Sequence, residues 1–192
     1  MDKKAKILQE KSLHKGYLSL AKYNFEVLSL ANQKKAIVIS EREVITTSDS
    51  VSILLYLPSL DSFIFCQQFR PGVFLNATND NSFILECVAG NIDSGESPEE
   101  AACREVKEET GLVIKNLQLI ANVYKSPGLL TEKNYLFYAE VAKPPQGKLH
   151  GIDDEQIITQ VIEREKVYEL MDKRQLLDAA TLLTLNWFRA QA

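Results

Sequence analysis

Three glutamates, Glu105, Glu108 and Glu109, stand at i, i+3 and i+4, so on a helix their carboxylates emerge from one face. A helix is well marked there. Ser97 offers an N-cap, Pro98 the first helical position, Glu100 the return bond of a capping box and Gly111 a left-handed stop, which predicts a helix over Pro98–Thr110. Like charges so placed repel one another, and more strongly if partly buried. A positive partner is therefore expected. Hard divalent cations take oxygen ligands, keep several waters and bridge carboxylates to phosphates. Three clustered glutamates form a platform for such an ion. The plain alternative is a solvated helix face, which is what most glutamate-rich helices are.

The charge of the whole chain points to the same segment. The 192 residues carry 22 basic and 26 acidic side chains, a net −4. Gly90 to Leu112 hold seven acids and two bases, a local −5, so the remainder sums to +1. That balance gives no general pull toward nucleic acid, and none is expected as a partner. The longest apolar stretch, Val51 to Leu57 broken by Ser52, falls well short of the roughly 20 residues a bilayer span needs, so no membrane partner is expected. The charged start leads into Gln9, Glu10 and Lys11 rather than an apolar run, and a cytoplasmic home is the expectation. Cys66, Cys87 and Cys103 are widely spaced without a Cys-x-x-Cys pair, against a disulfide framework or zinc site; each reads as a small buried hydrophobe. His14 and His150 show no partner spacing.

The wider spacing decides between a metal platform and a solvated face. Gly90, five residues, Glu96, seven residues, Arg104-Glu105-Val106, one residue, Glu108-Glu109, one residue and Gly111-Leu112 agree at nine defined positions with the signature of the Nudix hydrolases. By this pattern the chain is identified as a member of that family. The resemblance implies a loop, helix and loop against a mixed sheet, and hydrolysis of a nucleoside diphosphate linked to another group. It implies Glu105 and Glu109 as principal ligands of Mg²⁺ (or Mn²⁺), Glu108 in the inner or outer sphere, and the Ala89 carbonyl as a further ligand. Arg104 is expected to orient Glu105 or Glu96. Gly90 and Gly111 are expected as tight turns.

Flanking motifs resemble the ADP-ribose pyrophosphatase and nucleoside diphosphate sugar hydrolase branch. They are Gln67-Gln68-Phe69-Arg70-Pro71, Leu85-Glu86-Cys87-Val88-Ala89-Gly90, Ser126-Pro127-Gly128 and Thr131-Glu132. That branch implies a nucleoside diphosphate sugar substrate, ADP-ribose or a relative such as GDP-mannose, and a domain-swapped homodimer. Arg70 would grip a phosphate or terminal ribose, Glu132 the sugar hydroxyls and Arg42 the diphosphate. Tyr17 reads either as a stacker on the base or as a core residue. Thr47 stands where the branch carries a second arginine, which leaves room for a sugar nucleotide other than ADP-ribose. The acidic run Gly151-Ile152-Asp153-Asp154-Glu155 resembles the loop that carries the general base. Asp153 or Glu155 would take that role, the other, with Glu155 the expected choice, ligating metal. The alternative from another class is a non-catalytic nucleotide-sugar sensor.

Positioning these groups requires a scaffold of strands with few helices. Strands are predicted at Tyr17 to Leu30 (in two pieces), Lys35 to Thr46, Val51 to Leu57, Phe63 to Phe69, Phe83 to Val88, Leu117 to Tyr124, Tyr135 to Val141 and Ile157 to Glu163. Helices are predicted at about Arg164 to Lys173 and Leu176 to Ala190, the last with a core stripe of Leu177, Leu182, Leu183 and Trp187. The expected class is α+β, a Nudix-type α/β/α sandwich with a mixed sheet. Residues 1–46 are expected to form a strand-rich dimerisation arm and 47–192 the hydrolase domain.

Overall fold

The computed structural model describes residues 5–32, 35–147, 149–151 and 156–191. They cluster into two compact units. One runs up to Asp49 and takes in Tyr124–Lys133; the other comprises Ser50–Val123 and the residues from Asn134 onward.

The first unit is a three-stranded antiparallel sheet in the order β1(Ala5–Lys15), β2(Ser19–Leu28), β3(Ala36–Thr46). β1 was absent from the strands expected above. Its Lys6, Gln9, Glu10 and Lys11 break any apolar alternation, and the strand is exposed throughout. The two pieces expected between Tyr17 and Leu30 are one strand, β2, with a register shift against β3 between Tyr23 and Phe25. The excursion Tyr124–Lys133 is stitched to the end of β3: Ile45 donates its N–H to the Leu129 carbonyl at 2.8 Å, and Thr131 donates to Ile45 at 3.0 Å.

The second unit is built on a mixed sheet. In chain order its elements are β4(Ser50–Leu57), a 3-10 turn at Pro58–Leu60, β5(Ser62–Phe69), α1(Pro71–Phe74), β6(Phe83–Glu86), β7(Val88–Asn91), α2(Pro98–Thr110), β8(Gln118–Tyr124), β9(Lys133–Glu140), β10(Leu149–His150), β11(Ile157–Glu163), α3(Arg164–Asp172) and α4(Ala179–Arg189). The sheet order is β10-β11-β5-β4-β9-β8, with β6 on β5 and β7 on β4. β4 and β9 run parallel while β4 and β5 run antiparallel. β4 is apolar along nearly its whole length because helices cover both of its faces. Val51, Ile53 and Leu55 pack with Ile64 and Cys66 against Ala101, Ala102 and Val106 of α2. Leu54, Phe63 and Phe65 face the other way, toward Val167 of α3 and Leu185 of α4. Each such fully buried side chain contributes about 1.5–3 kcal/mol. The expected α/β/α sandwich is thus what forms.

Two expectations need correction. Cys66 and Cys87 are buried, but Cys103 is exposed on α2, because it lies off the stripe of Ala101, Ala102 and Val106 that meets the sheet. In α4 the buried positions are Ala180, Thr181, Thr184 and Leu185, whereas Leu177 and Leu183 are 46% and 49% exposed. Leu182 of the expected stripe does pack against the core beside Leu185, and two hydroxyls join them there because each has a partner. Asp178 caps the helix by accepting from the Thr181 N–H and hydroxyl, both at 2.7 Å, and the Thr181 hydroxyl accepts from the Cys87 N–H at 2.8 Å. No helix among the described residues is long and apolar enough to cross a membrane.

Candidate active site

α2 forms as its sequence dictates. The Ser97 side chain accepts from the Glu100 N–H at 3.2 Å while Glu100 accepts from the Ser97 N–H at 2.8 Å. Gly111 ends the helix at φ 68° with its N–H on the Lys107 carbonyl. The stripe that meets the sheet contains Ala101, Ala102, Val106 and Thr110, and with them Glu105 and Glu109. Those two glutamates are only 9% and 4% exposed. A solvated face is therefore excluded for both.

Arg104 gathers the surrounding acids. Its Nε and Nη2 donate to the two oxygens of Glu96 at 3.0 and 2.9 Å. Nη2 also reaches the Asn91 carbonyl at 2.8 Å, and Nη1 donates to Glu105 at 2.7 Å and Glu108 at 3.2 Å. The one guanidinium thus contacts both Glu96 and Glu105. These bonds hold the Glu96 carboxyl below the usual carboxylate range and push the guanidinium further toward its charged form.

Glu109 lies deeper. Burial pushes its pKa up to about 8. The Glu105 charge adds to the rise, and a Cys66 hydrogen bond, the Ala89 N–H at 3.3 Å and the Arg70 charge ease it. Gly90 is needed for a reason other than the expected turn: it sits inside β7 without a left-handed backbone, and a Cβ there would fall on the Glu105 carboxyl. Of the two glycines expected in turns, Gly111 is the one with a positive φ.

Arg70 and Ala89 lie in the same unit as Arg104, Glu105, Glu108 and Glu109. Arg70 donates through Nε to Glu86 at 2.6 Å. Tyr17, Arg42 and Glu132 belong to the other unit. Tyr17 is 91% exposed between β1 and β2, which removes its reading as a core residue. Arg42 is exposed opposite Tyr23 on the antiparallel neighbour. Glu132 is ion-paired with Lys125 at 2.8 Å, and Thr47 donates its N–H to the Thr131 hydroxyl at 3.2 Å. Asp153, Asp154 and Glu155 lie outside the described residues.

Among the described residues no three His, Cys, Asp or Glu side chains converge on one point as a closed metal centre. Glu105 and Glu108 are turned to Arg104, and Glu109 toward Ala89. The donor chemistry nevertheless fits a hard divalent ion. Carboxylate oxygens dominate, and one of them is almost fully buried with its ionised form disfavoured until a cation arrives. One residue named above only as part of a flanking motif was given no role of its own. Glu86, 7% exposed, is a charge inside the otherwise apolar run Phe83 to Val88, and that interruption was the available signal.

Residues 46–183 match the family model for the NUDIX domain. Over 186 residues, 95% of this chain and 85% of the relative, the sequence is 31% identical to the ADP-ribose pyrophosphatase of Haemophilus influenzae. Over 185 residues it is 29% identical to the ADP-ribose pyrophosphatase of Escherichia coli, covering 95% and 87% of the two chains. The GDP-mannose pyrophosphatase of Pectobacterium atrosepticum is 30% identical over 181 residues, 94% of this chain and 91% of its own. The crystal structure of an ADP compounds hydrolase superposes with a TM-score of 0.71 over 99% of this chain and 97% of that one, at 20% identity, a likeness of fold.

Proposed function

The chain belongs to the NUDIX family, and on that premise we propose that it hydrolyses the diphosphate bond of ADP-ribose or a related nucleoside diphosphate sugar, giving a nucleoside monophosphate and a sugar phosphate. The observation that carries this reading is the placement of Glu105 and Glu109 on the buried side of α2, where Glu105 is held by Arg104 and burial disfavours the ionised form of Glu109 until a further cation joins it. Mg²⁺ or Mn²⁺ would be held by Glu105, Glu109 and the Ala89 carbonyl, with Glu108 in the inner or outer sphere. Such an ion supplies neutralisation of the phosphoryl oxygens and a more acidic water.

The chain's own residues do the rest. Arg104 fixes the rotamers of Glu96, Glu105 and Glu108, so the platform is organised before substrate arrives. Arg70 offers a guanidinium to one phosphate. Asp153 or Glu155 is the proposed general base, with Glu155 a further ligand. From the arm, Tyr17 would stack on the base and Arg42 pair with the diphosphate, while Glu132 would accept from sugar hydroxyls once released from Lys125. The arm would act as a dimerisation element exchanged with a second copy. Its sheet supports that reading by exposing Ile7, Leu8, Ile37 and Val38 at 56%, 45%, 41% and 59%.

The similarity to a GDP-mannose pyrophosphatase favours a second substrate within the same chemistry. A panel of nucleoside diphosphate sugars, incubated with the purified protein and Mg²⁺ or Mn²⁺ and resolved by product chromatography, tests both. The proposal expects AMP and ribose 5-phosphate from ADP-ribose, or GMP and mannose 1-phosphate from GDP-mannose. Release of no monophosphate from any member of the panel would contradict it.

A further inference from the structure

Glu86 stands at the end of β6, directly opposite Cys66 of β5. Residues paired in this way share a face of the sheet. Cys66 packs in the core cluster that includes Ala101, Ala102 and Val106, so Glu86 lies on the α2 side of the sheet. A carboxylate 7% exposed in such a place is costly, and a buried ion pair is a poor device for stability, since apolar residues of similar size commonly do as well or better. Another advantage should keep it there. Its Oε2 accepts from the Nε of Arg70 at 2.6 Å, the one side-chain hydrogen bond that Arg70 makes among the described residues. Binding at Nε leaves both terminal nitrogens of the guanidinium for a ligand, and the planar group can no longer turn about its last bonds. Arg70 keeps a side-chain exposure of 37%, so the group held by a buried anchor is itself accessible.

A second carboxylate competes for that cation. The Arg70 charge is felt at Glu109, which is 4% exposed. Arg70 therefore stands within electrostatic reach of two buried acids, and it is bonded to the one that is not on α2. We propose that Glu86 is a positioning residue: by holding Arg70 at Nε it keeps the guanidinium off Glu109 and aims its terminal nitrogens at the substrate diphosphate. This inference rests on the reading of the site as one that binds a nucleoside diphosphate sugar.

The test is a double-mutant cycle on Arg70 and Glu86, read by calorimetric titration of ADP-ribose in EDTA and by steady-state kinetics with Mg²⁺. Glu86→Gln keeps shape and volume and removes the charge. The expected result is binding weaker by about tenfold and KM raised to match, with kcat within about threefold of wild type. In an Arg70→Ala background the same Glu86→Gln change should alter the Kd by less than about twofold, because its effect passes through Arg70. A wild-type Kd in Glu86→Gln, or penalties that simply add in the double variant, would overturn the proposal. Should Glu86→Gln fail to fold, Arg70→Lys is the second probe: lysine has no Nε fork for Glu86 to hold, so its Kd should rise about as far as that of Arg70→Ala. Near-wild-type binding by Arg70→Lys would overturn the proposal equally. Turnover of ADP-ribose with no effect from these variants removes this inference alone, whereas a wild-type protein that neither binds nor cleaves any nucleoside diphosphate sugar removes both it and the reading beneath it.

Discussion

Gly90 and Glu109 show what single residues contribute to this site. The three atoms nearest a methyl group at Gly90 all belong to the Glu105 carboxyl, the far end of a flexible side chain, so the fold can absorb it by moving that carboxyl. Gly90→Ala should therefore keep a near-wild-type Tm while lowering turnover by about 100-fold, the scale on which small misplacements act. Unchanged turnover would remove the steric account of this glycine. Glu109 makes a prediction with a definite sign. Its pKa is raised from an ordinary 4.5 to about 8, so the folded protein holds that proton more tightly than the unfolded chain does. The resulting stability is complete below about pH 4.5 and is lost as pH rises toward 8. In EDTA, the Tm of the wild-type protein should fall relative to Glu109→Gln between pH 5 and pH 8, and added Mg²⁺ or Mn²⁺ should restore more at pH 8 than at pH 6. Parallel Tm profiles for the two proteins would contradict this. The residue types and their spacing could be read directly from the sequence. The reason for Gly90 could not, since a close approach between a strand and a helix leaves no local mark, whereas the left-handed stop at Gly111 does.

At the scale of elements, α2 was legible to the residue because every device that sets it is local: Ser97, Pro98, Glu100 and Gly111 act within one turn of each end. α4 was less so. Of the stripe, Leu182 packs against the core while Leu177 and Leu183 do not, and Thr181 and Thr184 are buried beside Leu185; a buried threonine is recognisable only once its partner, here the Cys87 N–H, is known. β1 escaped for a related reason, since its pairing with β2 is specified by the partner strand rather than by an apolar alternation of its own. The Thr181 bond joins α4 to the β6–β7 junction just before Ala89 and Gly90. Thr181→Ala strips the buried Cys87 N–H of that partner and should cost about 1–3 kcal/mol, read as a Tm lower by about 2–4 °C for each kcal/mol. A variant with the wild-type Tm would show that the junction is held by other contacts.

For the whole molecule, the division of charge takes on structural meaning. The −5 segment from Gly90 to Leu112 is a cluster around Arg104 with Glu105 and Glu109 turned inward, set against a remainder of +1. On the proposed function, an acidic protein would in this way receive an acidic substrate, with a divalent ion reversing the local sign. The family pattern spans only the box and its flanks, and the sheet that supports it followed from β-branched runs and turn residues. The inclusion of Tyr124–Lys133 in the same unit as β1, β2 and β3 was not readable, because its bonds to Ile45 and Thr47 join positions some 84 residues apart. The central claim is that the buried glutamates of α2 organise metal-assisted cleavage of a diphosphate. Its most direct test is product analysis of ADP-ribose, and of GDP-mannose in parallel, with wild-type protein and Glu109→Gln at equal concentration, folding of both being verified by circular dichroism. The account predicts a nucleoside monophosphate and a sugar phosphate from the wild type only when Mg²⁺ or Mn²⁺ is present, and turnover by the folded variant lower by about 1,000-fold or more. Metal-independent release of the monophosphate, or a folded Glu109→Gln protein that turns over like the wild type, would contradict it.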